Sequence, residues 1–184
     1  LKRDVKGRPT QYPLLIVLHE TTSAVSGAVN TMLVAHPRDA DQVSYHTLIR
    51  RDGTLIYLVD PLKRAYGAGD SIFKGKNGPE TVQTKKNLDP SVNHFAYHIS
   101  LETPVDGMQD NDANHSGYTS AQYNSLAWLV AKSGVTRDRI TTHAKIDQSG
   151  ERQDPRSFDM ASLHQELALQ PNILVSFNSA PNLP

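Results

Sequence analysis

From Leu14 to Leu18 every side chain is apolar, and the run ends on His19. An unbroken run of that length reads as a strand covered on both faces, with His19 at its carboxyl end. Val25, Ala28, Val29, Met32 and Leu33 then recur at helical spacing. They predict a packing helix, capped by Thr21, Thr22 or Ser23 and stopped by Pro37. Residues 44–50 and 54–60 flank Asp52-Gly53, a dipeptide that tolerates the positive φ angles of a tight turn, so an antiparallel hairpin is expected. Residues 66–93 are rich in Gly, Lys and Asn, carry Lys74, Lys76, Lys85 and Lys86, and show little periodicity; they read as a long surface loop. Phe95, Tyr97, Ile99 and Leu101 alternate with Ala96, His98, Ser100 and Glu102, which predicts a strand with Glu102 turned away from the main apolar face. Thr119 or Ser120 caps a helix bearing Tyr123, Leu126, Ala127 and Val130 that ends near Gly134. A short strand over 139–143 follows, and a last helix starts at Asp159 and runs through Met160, Leu163 and Leu167.

These elements divide the 184 residues into a polar arm over 1–13, one α/β domain over 14–168 with the long loop at 66–93, and an Asn- and Pro-rich tail over 169–184. Lys plus Arg and Asp plus Glu both total 19, so no net field draws the chain toward nucleic acid or anionic lipid. With no cysteine, disulfides, thiolate metal sites and a Cys nucleophile are excluded. No apolar run reaches the roughly 20 residues of a membrane span. The first residue is Leu1 rather than Met, which leaves room for a removed export signal, and the expected location is the cell envelope or outside the cell.

Three residues carry the most chemistry. His19 closes a buried strand, and His143 and Asp154 are separated by a polar loop, with Gly150 in it and Pro155 just after it, that can bring a carboxylate back over a strand end. Two imidazoles and a carboxylate suit Zn²⁺, and three protein ligands leave a fourth tetrahedral position open, the pattern of a catalytic rather than a structural site. Arg152, two residues before Asp154, supplies a fixed cation where an oxyanion could develop. The bland readings are a hydrogen-bonded core histidine and a solvated loop aspartate. His19-Glu20 does not open a His-Glu-x-x-His helix, because position 23 is Ser. His94, His98 and Glu102 would share a helix face, but the alternation around them argues strand.

In order, Val17-Leu-His19, Ser44-Tyr-His-Thr-Leu-Ile, Asp52-Gly-Thr-Leu-Ile-Tyr, Ile99-Ser-Leu-Glu102, Thr142-His143 and Arg152-Gln-Asp154-Pro resemble the zinc-dependent N-acetylmuramoyl-L-alanine amidases related to peptidoglycan recognition proteins and phage lysozyme-type amidases. The resemblance covers residues 14–168. It implies a central mixed sheet flanked by helices with zinc at the sheet rim, His19, His143 and Asp154 as ligands, Glu102 as the acid handling the attacking water, and Arg152 where lysine is usual. It also implies Tyr45 beside the metal, His46 in a structural role and Tyr66 in contact with substrate. Ala65-Tyr66-Gly67-Ala68-Gly69 departs from the family's Trp-His-Ala-Gly stretch at Tyr66 and Gly67, and residues 70–93 are longer than in compact members, implying an extra lip on the groove. The implied reaction is hydrolysis of the amide between N-acetylmuramic acid and L-alanine, with peptidoglycan or a muropeptide as substrate. Two alternatives stay open: a peptidoglycan-binding module without turnover, and a zinc amidase acting on another acyl-peptide bond.

Overall fold

The structure is a computed structural model that describes residues 3–34, 36–38 and 41–170. Its centre is a five-stranded sheet built from β1 (Leu15–Glu20), β2 (Thr47–Ile49), β3 (Leu55–Tyr57), β6 (Ala96–Leu101) and β7 (Ile140–Thr142), in the order β3-β2-β6-β1-β7. β1 runs parallel to both β6 and β7, β2 is parallel to β6, and β3 is antiparallel to β2, so the sheet is mixed. The β2–β3 turn carries Gly53 at φ 85°, as the Asp-Gly signal requires, and a Cβ there would lie 2.9 Å from the Ala121 carbonyl oxygen.

Strand parity divides the interior. Ile16 and Leu18 of β1 join Ile99 and Leu101 of β6 in a core closed by Tyr123, Leu126, Ala127 and Val130 of α2 (Ser120–Ser133) and Leu163 of α4 (Met160–Leu169). Leu15 and Val17 face the other way, into a second cluster with Ala68, Val82, Val92, Phe95, Ala96 and Ile146. Each such aliphatic side chain, fully buried, contributes roughly 1.5–3 kcal/mol to folding. Both strand faces are therefore covered, as the apolar run predicts. Phe95 departs from its expected face, because β6 begins only at Ala96 and Phe95 packs with the second cluster.

α2 opens on a reciprocal capping box between Thr119 and Gln122 and ends at Gly134 in the left-handed conformation. Asp159 caps α4 by accepting from the Ala161 amide at 2.8 Å. α1 (Val25–Leu33) corrects the reading at two points. Its N-cap is Ala24 with no side-chain bond, since the Thr21 and Thr22 hydroxyls are spent on local carbonyls. It is also not a packing helix: only Ala28 is buried and Leu33 is 74% exposed.

The segment 66–93, expected as a surface loop, contains a hairpin of β4 (Phe73–Gly75) and β5 (Gly78–Glu80) and covers the second sheet face through Ala68, Val82 and Val92. Its apolar residues are spaced by turns rather than by a regular period, which hides them from pattern reading. Asp4 pins the N-terminal arm to it, accepting from the amides of Lys6, Arg8 and Gln83 at 2.8–3.1 Å. Most of the tail expected over 169–184, namely 171–184, lies outside the described residues. Among the described residues, no helix is long and apolar enough to cross a membrane.

Candidate metal centre and active site

β1 and β7 are adjacent and parallel, so their carboxyl ends lie on one rim of the sheet. His19 is the fifth residue of β1, and its parity turns it toward the second face. His143 follows β7 directly and opens α3 (His143–Ile146), a one-turn helix, rather than ending the strand as expected. The loop after α3 returns so that the Asp154 carbonyl accepts from the Ala144 amide at 3.0 Å. The Asp154 carboxylate then meets both rings: Oδ2 is 3.1 Å from His19 Nδ1, and Oδ1 is 3.0 Å from His143 Nδ1. Among the described residues this is the one group of three His, Cys or acidic side chains that could hold a metal ion, its ligand atoms all lying within 4.8 Å of one another.

The electrostatics favour ligation. Burial lowers His19 to a pKa of about 4, outweighing the attraction of Asp154, so its ring nitrogen keeps a lone pair at neutral pH. Burial acts to raise Asp154, but its contacts with His143 and His19 overcome this and hold its carboxyl well below the usual range. Two imidazole nitrogens and a carboxylate oxygen form a donor set that suits a divalent ion such as zinc.

A cleft of about 470 Å³ lies against this group, lined among others by Glu20, Tyr45, Tyr66, His143, Arg152 and Asp154. Tyr45 stacks on His19, with ring centroids 4.6 Å apart, and burial followed by the Asp154 charge pushes its hydroxyl up, so it stays a neutral donor. Arg152 reaches the cleft from an exposed loop wound around Asp147, whose carboxylate accepts from the Gly150, Glu151 and Arg152 amides at 2.7–3.3 Å. Tyr66 is held by its amide to Ser44 Oγ at 3.0 Å and by Arg64 over its ring. No residue from 70 to 93 lines the cleft, so the insertion makes no extra lip; it packs beneath the sheet instead.

Glu102 is not brought to this cleft. β6 ends at Leu101, and the Glu102 carboxylate turns to the hairpin, accepting from the Arg51 amide at 2.8 Å, while its backbone is bonded to Ile49 and Gln122. The acid beside the metal group is Glu20, buried and engaged by Arg156, whose amide and Nε donate to Oε1 at 3.0 and 2.8 Å. Thr103 Oγ1 and His115 Nε2 complete its partners at 3.1 and 3.2 Å. Arg156 also reaches Asp110 at 2.6 Å. This clamp ties the residue after His19 to the residue two beyond Asp154. Sequence reading missed it; the only hint was an acid and a base flanking two presumed ligands.

His46 has a structural role: its Nε2 lies 3.0 Å from the Lys63 carbonyl, and its Nδ1 accepts from the His98 amide at 2.9 Å.

Comparison with known proteins agrees with this architecture. The N-acetylmuramoyl-L-alanine amidase family matches residues 9–157, and the chain belongs to that family. Among its relatives is 1,6-anhydro-N-acetylmuramyl-L-alanine amidase AmpD of Salmonella typhimurium, 30% identical over 143 residues; the match covers 73% of this chain and spans 65% of the relative's length. The crystal structure of a selenomethionine derivative of AmpD superposes with a TM-score of 0.58 at 28% identity, covering 86% of each chain. The Escherichia coli amidase AmiD, solved with anhydro-N-acetylmuramic acid-L-Ala-D-γ-Glu-L-Lys, shares the fold with a TM-score of 0.61 at 20% identity, over 84% of this chain and 57% of its own.

Proposed function

We propose that this chain is a zinc-dependent N-acetylmuramoyl-L-alanine amidase that hydrolyses the amide between the lactyl group of N-acetylmuramic acid and L-alanine of a muropeptide or of peptidoglycan. The observation that carries the reading is the convergence of His19, His143 and Asp154 within 4.8 Å at a cleft. When bound, zinc lowers the pKa of a coordinated water toward roughly 7 and polarises the scissile carbonyl. The chain's own residues bind and orient. Arg152 presents guanidinium donors to the carbonyl oxygen as negative charge develops there, and the Tyr45 hydroxyl, which also lines the cleft, offers a second donor. Tyr66 forms an aromatic wall for the sugar or the peptide stem. Glu102 is left with a structural role at the hairpin, and Glu20, engaged by Arg156, Thr103 and His115, serves to position the Asp154 loop. The anhydro-N-acetylmuramyl-L-alanine amidase activity for which AmpD is named and the muropeptide bound to AmiD support the substrate class.

The test is digestion of anhydro- and non-anhydro-muropeptides by the zinc-loaded protein, with product masses read directly. Release of peptides with a free N-terminal alanine is expected. Binding without release would favour a non-catalytic module, and cleavage at another acyl-peptide bond would keep the zinc chemistry but change the substrate.

A further inference from the structure

His98 is fully buried, and nothing in the reaction above uses it. It sits on β6 beside β1, with the parity that sends its ring to the same face as His19. Its Nδ1 lies 2.9 Å from His19 Nε2, and its own Nε2 is buried with no hydrogen-bond partner. A buried orphan nitrogen costs free energy, so the ring is held there by what its other edge does. The His98 backbone is locked as well, its amide donating to His46 Nδ1 at 2.9 Å and its carbonyl accepting from the His46 amide at 3.0 Å.

Gly67 explains how the ring fits. A Cβ on Gly67 would fall 2.3 Å from His98 Nδ1 and 2.5 Å from its Cγ, so any side chain at 67 would enter the space the imidazole fills. Position 67 is where the resembling family carries the histidine of its Trp-His-Ala-Gly stretch. Here that position is vacated, and an imidazole enters the same space from the neighbouring strand.

The chemistry of ligation then fixes the direction of the bond. His19 turns Nδ1 to the Asp154 carboxylate, 3.1 Å away, so a metal held between them would take the Nδ1 lone pair and leave the ring proton on Nε2. That Nε2–H points at His98 Nδ1. We propose that His98 is a positioning residue for the metal site, accepting the His19 Nε2–H and so fixing the tautomer and orientation that turn Nδ1 to the ion, and that glycine at 67 is required to admit it. The proposal rests on the zinc reading above and concerns this chain's own residues.

The test measures zinc affinity by competition with a chromophoric chelator, on the full chain, for the wild type, His98→Ala, His98→Asn and Gly67→Ala, with far-ultraviolet circular dichroism as the check on folding. Asparagine keeps an acceptor oxygen where Nδ1 stood. His98→Ala and Gly67→Ala are expected to weaken zinc binding about 10–100-fold, the usual cost of losing such a partner, and His98→Asn to stay within about threefold of wild type. If His98→Ala bound zinc as the wild type does, or if the Ala and Asn variants were equally weakened, the proposal would be overturned while the metal site stood. A wild-type chain that bound no zinc would overturn both.

Discussion

Arg152 and Glu102 are the two charged residues that the family resemblance assigns to the reaction, yet they end in different surroundings. Arg152 is delivered to the cleft by a loop organised on Asp147, whereas Glu102 is drawn to the Arg51 amide at the hairpin turn. Arg152→Ala is therefore expected to lower kcat about 100-fold while changing KM little, since removing one donor to a developing oxyanion costs on that order. An effect confined to KM would assign Arg152 to ground-state binding. Glu102→Gln is expected to keep most turnover and lose about 1 kcal/mol of stability with the charged acceptor of the Arg51 amide. Loss of turnover at unchanged zinc content would return Glu102 to catalysis.

At the scale of elements, the two parallel strands β1 and β7 bring both imidazoles to one rim, and the Glu20–Arg156 clamp holds the loop that supplies Asp154. Both partners are nearly inaccessible, with side-chain exposures of 1% and 6%. Removing one partner of a buried pair leaves an uncompensated charge, so Arg156→Met is expected to destabilise the fold by about 3–5 kcal/mol and to weaken zinc binding through Asp154. Urea denaturation of the metal-free chain reads the first effect; a change under 1 kcal/mol would mean that the clamp is dispensable. The hairpin of this element set was legible because Asp52-Gly53 is a local signal. The β4–β5 hairpin was not, because Lys76-Asn77-Gly78 lies in a polar stretch whose few apolar residues acquire meaning only against Leu15, Val17 and Ile146.

For the whole molecule, three buried histidines act together. Burial lowers the pKa of His19 to about 4 and also lowers His46 and His98, so the unfolded chain binds more protons than the folded one between pH 4 and 6.5. Groups held below their unfolded values stabilise the fold above about pH 6.5, and that contribution is lost as pH falls toward 4. His19 alone is expected to remove about 2 kcal/mol from the metal-free chain between pH 7.5 and 5. Denaturation midpoints at the two pH values check this, and an unchanged midpoint would show that the ring is charged or solvated in the fold. Saturating zinc should raise the midpoint at pH 7.5 by mass action on the folded state, about 2.7 kcal/mol at one hundred times Kd.

The sequence by itself determined the elements whose signals are local: the apolar run ending on His19, the Asp-Gly hairpin, the alternating strand of His98, the helix opening at Thr119 or Ser120 and the last helix from Asp159. It also named the three side chains that meet, because their types suit one ion and the loop after His143 can carry Asp154 back over the strand ends. Only the tertiary structure decided what depends on distance across the chain. It sent Glu102 to the hairpin, joined Glu20 to Arg156, folded 66–93 under the sheet and set His98 behind His19 in the space Gly67 leaves open. Propensity and period act over a few residues, whereas a buried polar group finds its partner wherever packing brings an acceptor within reach.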